Sequence, residues 1–156
     1  MVRVIEMVKR RVYQNEKHVH FVTFSCYRRR QLLSLDSSKR IVIGQLGSRL
    51  ARHFGICTGF VIMPDHVHAL LWFPEPGELS SFMNHWKDQS SRLIKKSLQE
   101  QRPEYLSRVP VTDPVWQTRY YGFNIWSRKK LDEKLEYIHL NPVRAGFVEK
   151  AVEWKG

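Results

Sequence analysis

The stretch His18 to Cys26 (HVHFVTFSC) is rich in Val, Phe and Thr and predicts a strand. The basic turn Tyr27-Arg28-Arg29-Arg30 follows it. From Ser37 to Phe54 the apolar spacing becomes helical: Val42, Leu46, Leu50 and Phe54 share a face, Asp36 or Ser37 caps the start, and Gly55 ends the helix. Ile56 to Met63 and His66 to Phe73 read as two strands joined at Pro64-Asp65 into a hairpin. After a break at Pro74 to Gly77, Leu79 to Gln99 carries a helical stripe of Leu79, Phe82, Met83, Trp86, Leu93 and Ile94. Arg102 to Pro114 reads as a loop, and a fourth strand lies within Val115 to Ile125. Ser127 caps a last helix, Arg128 to Leu140, which turns Leu131, Leu135 and Ile138 to the core and is ended by Pro142 and Gly146.

The order strand, helix, strand, strand, helix, strand is the split βαβ, or ferredoxin-like, pattern. The expected class is therefore α+β: an antiparallel βαββαβ sheet with helices on one face, plus an additional C-terminal helix. No repeat, low-complexity run or linker divides the chain. Residues 1–156 read as a single domain, with 1–15 a flexible or peripheral N-terminal segment.

A length of 156 residues allows a real core, and 42% hydrophobic residues excludes a disordered chain. No stretch approaches the roughly 18 unbroken apolar residues of a membrane-spanning helix. Met1 to Arg11 lacks the apolar core and cleavage site of a secretory signal. Cys26 and Cys57 are far apart without metal-ligand spacing, and read as reduced and structural in a cytoplasmic protein. Charge adds more: 26 Lys and Arg against 15 Asp and Glu give a net +11, which favours a polyanionic partner. The cations are spread along the chain rather than gathered on one amphipathic helix, which speaks against a membrane surface.

Three groups of residues carry candidate chemistry. In a strand His66 and His68 point to one face, about 6.5 to 7 Å apart at Cα, where two neutral imidazoles can converge on a divalent metal. Val67 points the other way, into the core. A bare His-x-His is more often ordinary, and His18 and His20, with the same spacing, are read as such; context separates the pairs. Second, Tyr137 and Asn141 stand one helical turn apart and share a face, away from Leu135 and Ile138. A phenol is a weak nucleophile at neutral pH, but a metal or base beside it can help it attack a phosphate, and the Asn141 amide oxygen can complete a metal site. A surface tyrosine with a helix-ending asparagine is the bland alternative. Tyr120, four residues before Asn124, is a weaker candidate, since in a strand that spacing is about 13 Å. Third, basic and aromatic residues interleave: Tyr27 with Arg28, Arg29 and Arg30; Arg119 with Tyr120 and Tyr121; Trp126 with Arg128, Lys129 and Lys130. Arginine and lysine suit phosphates and the rings suit unpaired bases.

Two of these stretches carry a family resemblance. GFVIMPDHVHALL (59–71) resembles the His-hydrophobic-His motif of single-tyrosine, HUH-type transposases, and YIHLNPVRAGFV (137–148) resembles their tyrosine helix. The YIHLNPVRAG form, with Trp116-Gln117 upstream and HVHFVTFSCYRRRQLL at the start, is similar to the branch called REP-associated tyrosine transposases. The likeness runs over roughly residues 10 to 150, and two long motifs in the right order are far more specific than either pair alone.

That resemblance implies an RRM-like ferredoxin fold. It implies that His66, His68 and Asn141 bind Mg²⁺ or Mn²⁺ and that Tyr137 is the nucleophile. It implies single-stranded or hairpin DNA from palindromic repeats as substrate, cut through a 5′-phosphotyrosine link and rejoined by a 3′-hydroxyl without ATP. Arg28, Arg29, Arg30, Arg119, Lys129 and Lys130 are the expected DNA contacts. The setting would be the cytoplasm of a bacterial type of cell, at the nucleoid, with no membrane partner. Insertion-sequence relatives act as dimers and the REP-associated branch as monomers, so monomer and homodimer both stay open. Relatives often continue with a further aromatic and basic stretch, whereas this sequence stops at Trp154-Lys155-Gly156, which bears on sequence recognition more than on chemistry. The competing reading is a non-catalytic single-stranded nucleic-acid binder on the same RRM-like sheet, which has no use for either the histidine pair or the Tyr137–Asn141 pair.

Overall fold

A computed structural model describes residues 18–155; the peripheral segment expected at 1–15 lies outside them. Four strands form one antiparallel sheet: β1 (Val19–Ser25), β2 (Ile56–Met63), β3 (His66–Trp72) and β4 (Tyr121–Ile125). Their spatial order is β2-β3-β1-β4, the arrangement that the split βαβ order requires. The helices are α1 (Asp36–His53), α2 (Glu78–Gln101) and α3 (Arg128–Arg144).

Side chains alternate across the sheet, and both faces are covered. Val22 and Phe24 of β1, Ile62 of β2 and Val67, Ala69 and Leu71 of β3 pack under α1 and α2 with Val42, Leu46, Phe82, Met83, Trp86, Ile94 and Leu98. Val19 and Phe21, Val61 and Met63, and Leu70 and Trp72 face the other way, where α3 lays Leu131 and Ile138 on them. This double cover explains why β3 reads as an almost continuous apolar run. Val67 does enter the core. At the centre of the first face Phe24 meets Trp86 and Trp116 edge-on, at centroid separations of 4.7 and 4.8 Å. Truncating such a ring to Ala costs about 3–5 kcal/mol. Both indoles are satisfied, Trp86 by the Val42 carbonyl at 3.0 Å and Trp116 by Ser90 Oγ at 3.0 Å.

Three expectations need correction. Phe54 leaves the α1 stripe: it takes a left-handed conformation (φ 51°) at the helix end and is 80% exposed. Gly55 is required for a different reason, since a Cβ there would stand 2.7 Å from the Phe73 ring. Leu93 is 38% exposed, because the buried line on α2 runs Phe82, Trp86, Ser90, Ile94, Leu98. A ridge of four-residue steps rotates around the helix, and by the C-terminal half it has turned past Leu93. Pro142 does not end α3, which continues to Arg144 with Pro142 buried inside it. A proline removes only its own N–H, and the chain beyond is held by Ala145 and Phe147 N–H donating to the Asn141 and Pro142 carbonyls, each at 3.0 Å. Gly146, in the left-handed region at φ 77°, follows the helix as expected. Ser127 caps α3, its Oγ accepting from Lys130 N–H at 3.2 Å. Among the described residues no helix is long and apolar enough to cross a membrane.

Candidate functional site

The turn between β2 and β3 is tied down by its neighbours rather than left as a free loop. Cys26 N–H donates to the Asp65 carbonyl at 2.8 Å, and Leu33 N–H to the Pro64 carbonyl at 2.9 Å. His66 and His68 therefore start a strand directly after an anchored turn. Their rings lie 4.7 Å apart, edge to face.

Each imidazole has a fixed partner at Nδ1. His66 Nδ1–H donates to Asp65 Oδ1 at 2.7 Å, since a carboxylate only accepts, which leaves Nε2 as the ring nitrogen available to another partner. Asp65 is held in turn by Arg29, whose Nε lies 2.9 Å from Oδ2 while its NH1 donates to Ser25 Oγ at 2.8 Å. His68 Nδ1 lies 2.7 Å from Thr23 Oγ1, its opposite number on β1. His68 Nε2 is buried and has no hydrogen-bond partner. Burial, with His66, Lys134 and Arg29 as nearby positive charges, pushes the His68 imidazole down to about 3, so it is neutral at physiological pH.

Tyr137 meets this pair from α3. Its ring stands edge-on to His68 at 5.3 Å and to Phe21 at 6.0 Å, and Phe21 stacks on His68 at 5.4 Å. Tyr137 is thus half-buried against the sheet rather than turned away from Leu135 and Ile138 towards solvent, because the face of α3 that packs on the sheet is wide enough to include it. Asn141 is a turn further along and is also half-buried. Tyr120 packs against the opposite face of the sheet, away from His68.

The basic residues separate into two groups. Arg29 is engaged with Asp65, Arg30 NH2 is paired with Asp113 Oδ2 at 2.7 Å, and Lys130 with Glu133 Oε2 at 2.7 Å. Arg28, Arg119 and Lys129 are exposed and have no carboxylate partner among the described residues. Tyr121 and Trp126 expose large rings at 58% and 65%, and Tyr121 stands across Thr23 on the face that holds His68.

Four contributors escape a reading of the sequence: Thr23, Asp65 as an acceptor, Phe21 and Lys134. Thr23 follows from strand register, which no local pattern states. Lys134 carries a local signal, since a residue three before Tyr137 on a helix must share its face.

The residues present fit a divalent metal. The Nε2 atoms of the two imidazoles face the same side of the sheet, that of His68 buried without a partner, and the Nδ1 atoms are oriented by a carboxylate and a hydroxyl, as ligating histidines usually are. Among the described residues no group of three or more His, Cys, Asp or Glu forms such a site, so a third protein ligand would have to be of another type, such as an amide.

The fold has solved counterparts. The structure of a REP-associated tyrosine transposase bound to a REP hairpin superposes with a TM-score of 0.68 at 21% identity, over 88% of this chain and 74% of that one. A provisionally named transposase of Deinococcus radiodurans R1 superposes with a TM-score of 0.56 at 19% identity, over 78% and 88%. In sequence, a provisionally named REP-associated tyrosine transposase of Haemophilus influenzae is 31% identical over 97 residues, 60% of this chain and 52% of that protein. The REP-associated tyrosine transposase of Escherichia coli K12 is 25% identical over 95 residues, 61% and 48%. The chain thus spans about half the length of these relatives. Residues 13–141 match the family described as Transposase IS200 like, a span that holds the sheet, the histidine pair and Tyr137 to Asn141, and the chain belongs to that family.

Proposed function

We propose that the protein cuts and rejoins single-stranded DNA at hairpin or palindromic repeats, with Tyr137 as nucleophile. The observation that carries this reading is the buried, unpartnered Nε2 of His68 beside Tyr137. A buried acceptor without a partner costs about 1–3 kcal/mol, a cost a bound cation would remove. Membership of the family and the hairpin DNA bound by the structural counterpart support the same reading.

In this reading His66 and His68 Nε2 and the Asn141 amide oxygen would hold Mg²⁺ or Mn²⁺, which would supply Lewis-acid polarisation of a phosphate oxygen. Thr23 accepts the Nδ1 proton of His68, so that Nε2 stays bare. Phe21 excludes water from one side of His68. Tyr137 Oη attacks phosphorus and gives a 5′-phosphotyrosine link with release of a 3′-hydroxyl. Attack by a 3′-hydroxyl reverses the step and joins strands, and the phosphodiester energy is conserved throughout. The exposed Arg28, Arg119 and Lys129 suit the backbone, and Tyr121 suits an unpaired base beside the site.

The test is a covalent protein–DNA adduct on a denaturing gel, with hairpin oligonucleotides and Mn²⁺ or Mg²⁺. Wild type should give the adduct, and Tyr137→Phe and His66→Ala should not. Tight hairpin binding without any adduct would instead support the non-catalytic binder, for which the exposed Tyr121 and Trp126 rings are the favouring feature.

A further inference from the structure

A phosphodiester brought to Tyr137 would meet a cation already in place. Lys134 precedes Tyr137 by three residues on α3 and shares its face. Its Nζ lies 4.5 Å from the centroid of Phe21, 5.5 Å from Phe123 and 5.6 Å from Tyr137. Arg128 and Lys130 on the same helix are paired, with Asp132 and Glu133, whereas half-buried Lys134, like exposed Lys129, has no carboxylate partner among the described residues. Seven residues after Tyr137, the guanidinium of Arg144 lies 6.0 Å from the same ring centroid.

This is an unusual way to hold an ammonium. Ring faces attract a cation through their quadrupole and fix where it sits, but they carry no net charge to cancel it. The half-buried side chain therefore keeps its hydrogen-bond donors for an anion. A structural, half-buried lysine would be expected to pair with a carboxylate, as Arg128 and Lys130 do.

We propose that Lys134 is a catalytic residue that donates to a non-bridging oxygen of the scissile phosphate while Tyr137 attacks it. The inference rests on the strand-transfer reading above. As the Oη–P bond forms, the P–O3′ bond breaks, the phenol gives up its proton, and the departing 3′ oxygen takes one up to become the hydroxyl. Nothing is oxidised or reduced. Charge spreads over the non-bridging oxygens between these events, where a fixed cation lowers the barrier more than it tightens ground-state binding.

The test compares wild type, Lys134→Met and Lys134→Arg in single-turnover adduct formation on a hairpin oligonucleotide with Mn²⁺. Met keeps the apolar stem against Phe21 and removes only the charge. Lys134→Met should slow the adduct about 100-fold, the scale of losing one transition-state donor. Hairpin affinity and thermal midpoint should be unchanged, and Arg should restore most of the rate. A second substrate carries a neutral methylphosphonate at the mapped cleavage position, which removes the charge that Lys134 would meet. There the deficit of Lys134→Met should shrink to near parity with wild type. An equal deficit on both substrates, or none on the natural one, overturns the inference alone. No adduct from wild type on any hairpin overturns the strand-transfer reading, and this one with it.

Discussion

Two His-x-His pairs sit in the same sheet with the same spacing, and their surroundings differ in every respect that matters for chemistry. His18 and His20 lie at the start of β1; His66 and His68 begin β3, its antiparallel neighbour. His20 Nδ1 is hydrogen-bonded to the Asn124 amide oxygen at 2.9 Å, and the His18 ring rests edge-on against exposed Trp126 at 4.3 Å. Neither contact aims a bare nitrogen at a shared point. Around the second pair, Thr23 and Asp65 take the Nδ1 side of each ring, and Tyr137 arrives from a third element. Spacing along a strand sets which face a pair shares. What the pair can do is set by side chains from other elements.

The largest contrast should be in catalysis. His68→Ala should reduce adduct formation by at least about 100-fold, beyond the loss typical of an outer partner of a ligand. His18→Ala and His20→Ala should each stay within about twofold, as surface changes do. Comparable losses from both pairs would erase the distinction.

Metal affinity sharpens it further. Thr23→Val and Asp65→Ala should each weaken Mn²⁺ binding about 10–100-fold, measured by calorimetry or electron paramagnetic resonance without DNA. Asn124→Ala, which removes the partner of His20, should leave it unchanged.

The smallest effect is on stability against pH in metal-free protein. The unfolded chain protonates His68 near its ordinary 6.5, while the folded chain resists until about 3. Below pH 6.5 the unfolded state therefore binds the extra proton, and stability falls as pH drops. This one group contributes a slope of up to about 1.4 kcal/mol per pH unit and leaves stability flat above 6.5. Urea titrations across pH 4 to 8 should show the slope, and His68→Leu should flatten it. The His20 imidazole is also lowered by burial, but the bond from Asn124 works against that, so His20→Leu should leave most of the slope in place.

The element order is legible in the sequence because the signals are local: β-rich runs, four-residue apolar spacing, Pro64-Asp65 between strands, Ser127 before a helix. Both motifs are legible for the same reason. The misreadings come where a local rule meets a tertiary one. Gly55 looks like a helix stop by its freedom of φ, yet Phe54 takes the left-handed turn and Gly55 makes room for Phe73. Pro142 looks like a terminator, yet burial carries the helix through it. At the site, Arg29 reads as a phosphate contact among three arginines, and its pairing with Asp65 is not legible in the sequence. Thr23 cannot be read at all, since it lies 45 residues from His68 and meets it only through the pairing of β1 with β3.

That pairing also orders the site in time. A chain leaves the ribosome N-terminus first, so Thr23, His66 and His68 are all made before Tyr137. Their strands are consecutive neighbours in the sheet, whereas the tyrosine comes on the last helix, after β4 has closed the edge. A polypeptide interrupted before α3 holds the histidine pair without Tyr137, so, under the proposed strand-transfer function, an unfinished copy would be harmless to the DNA around it.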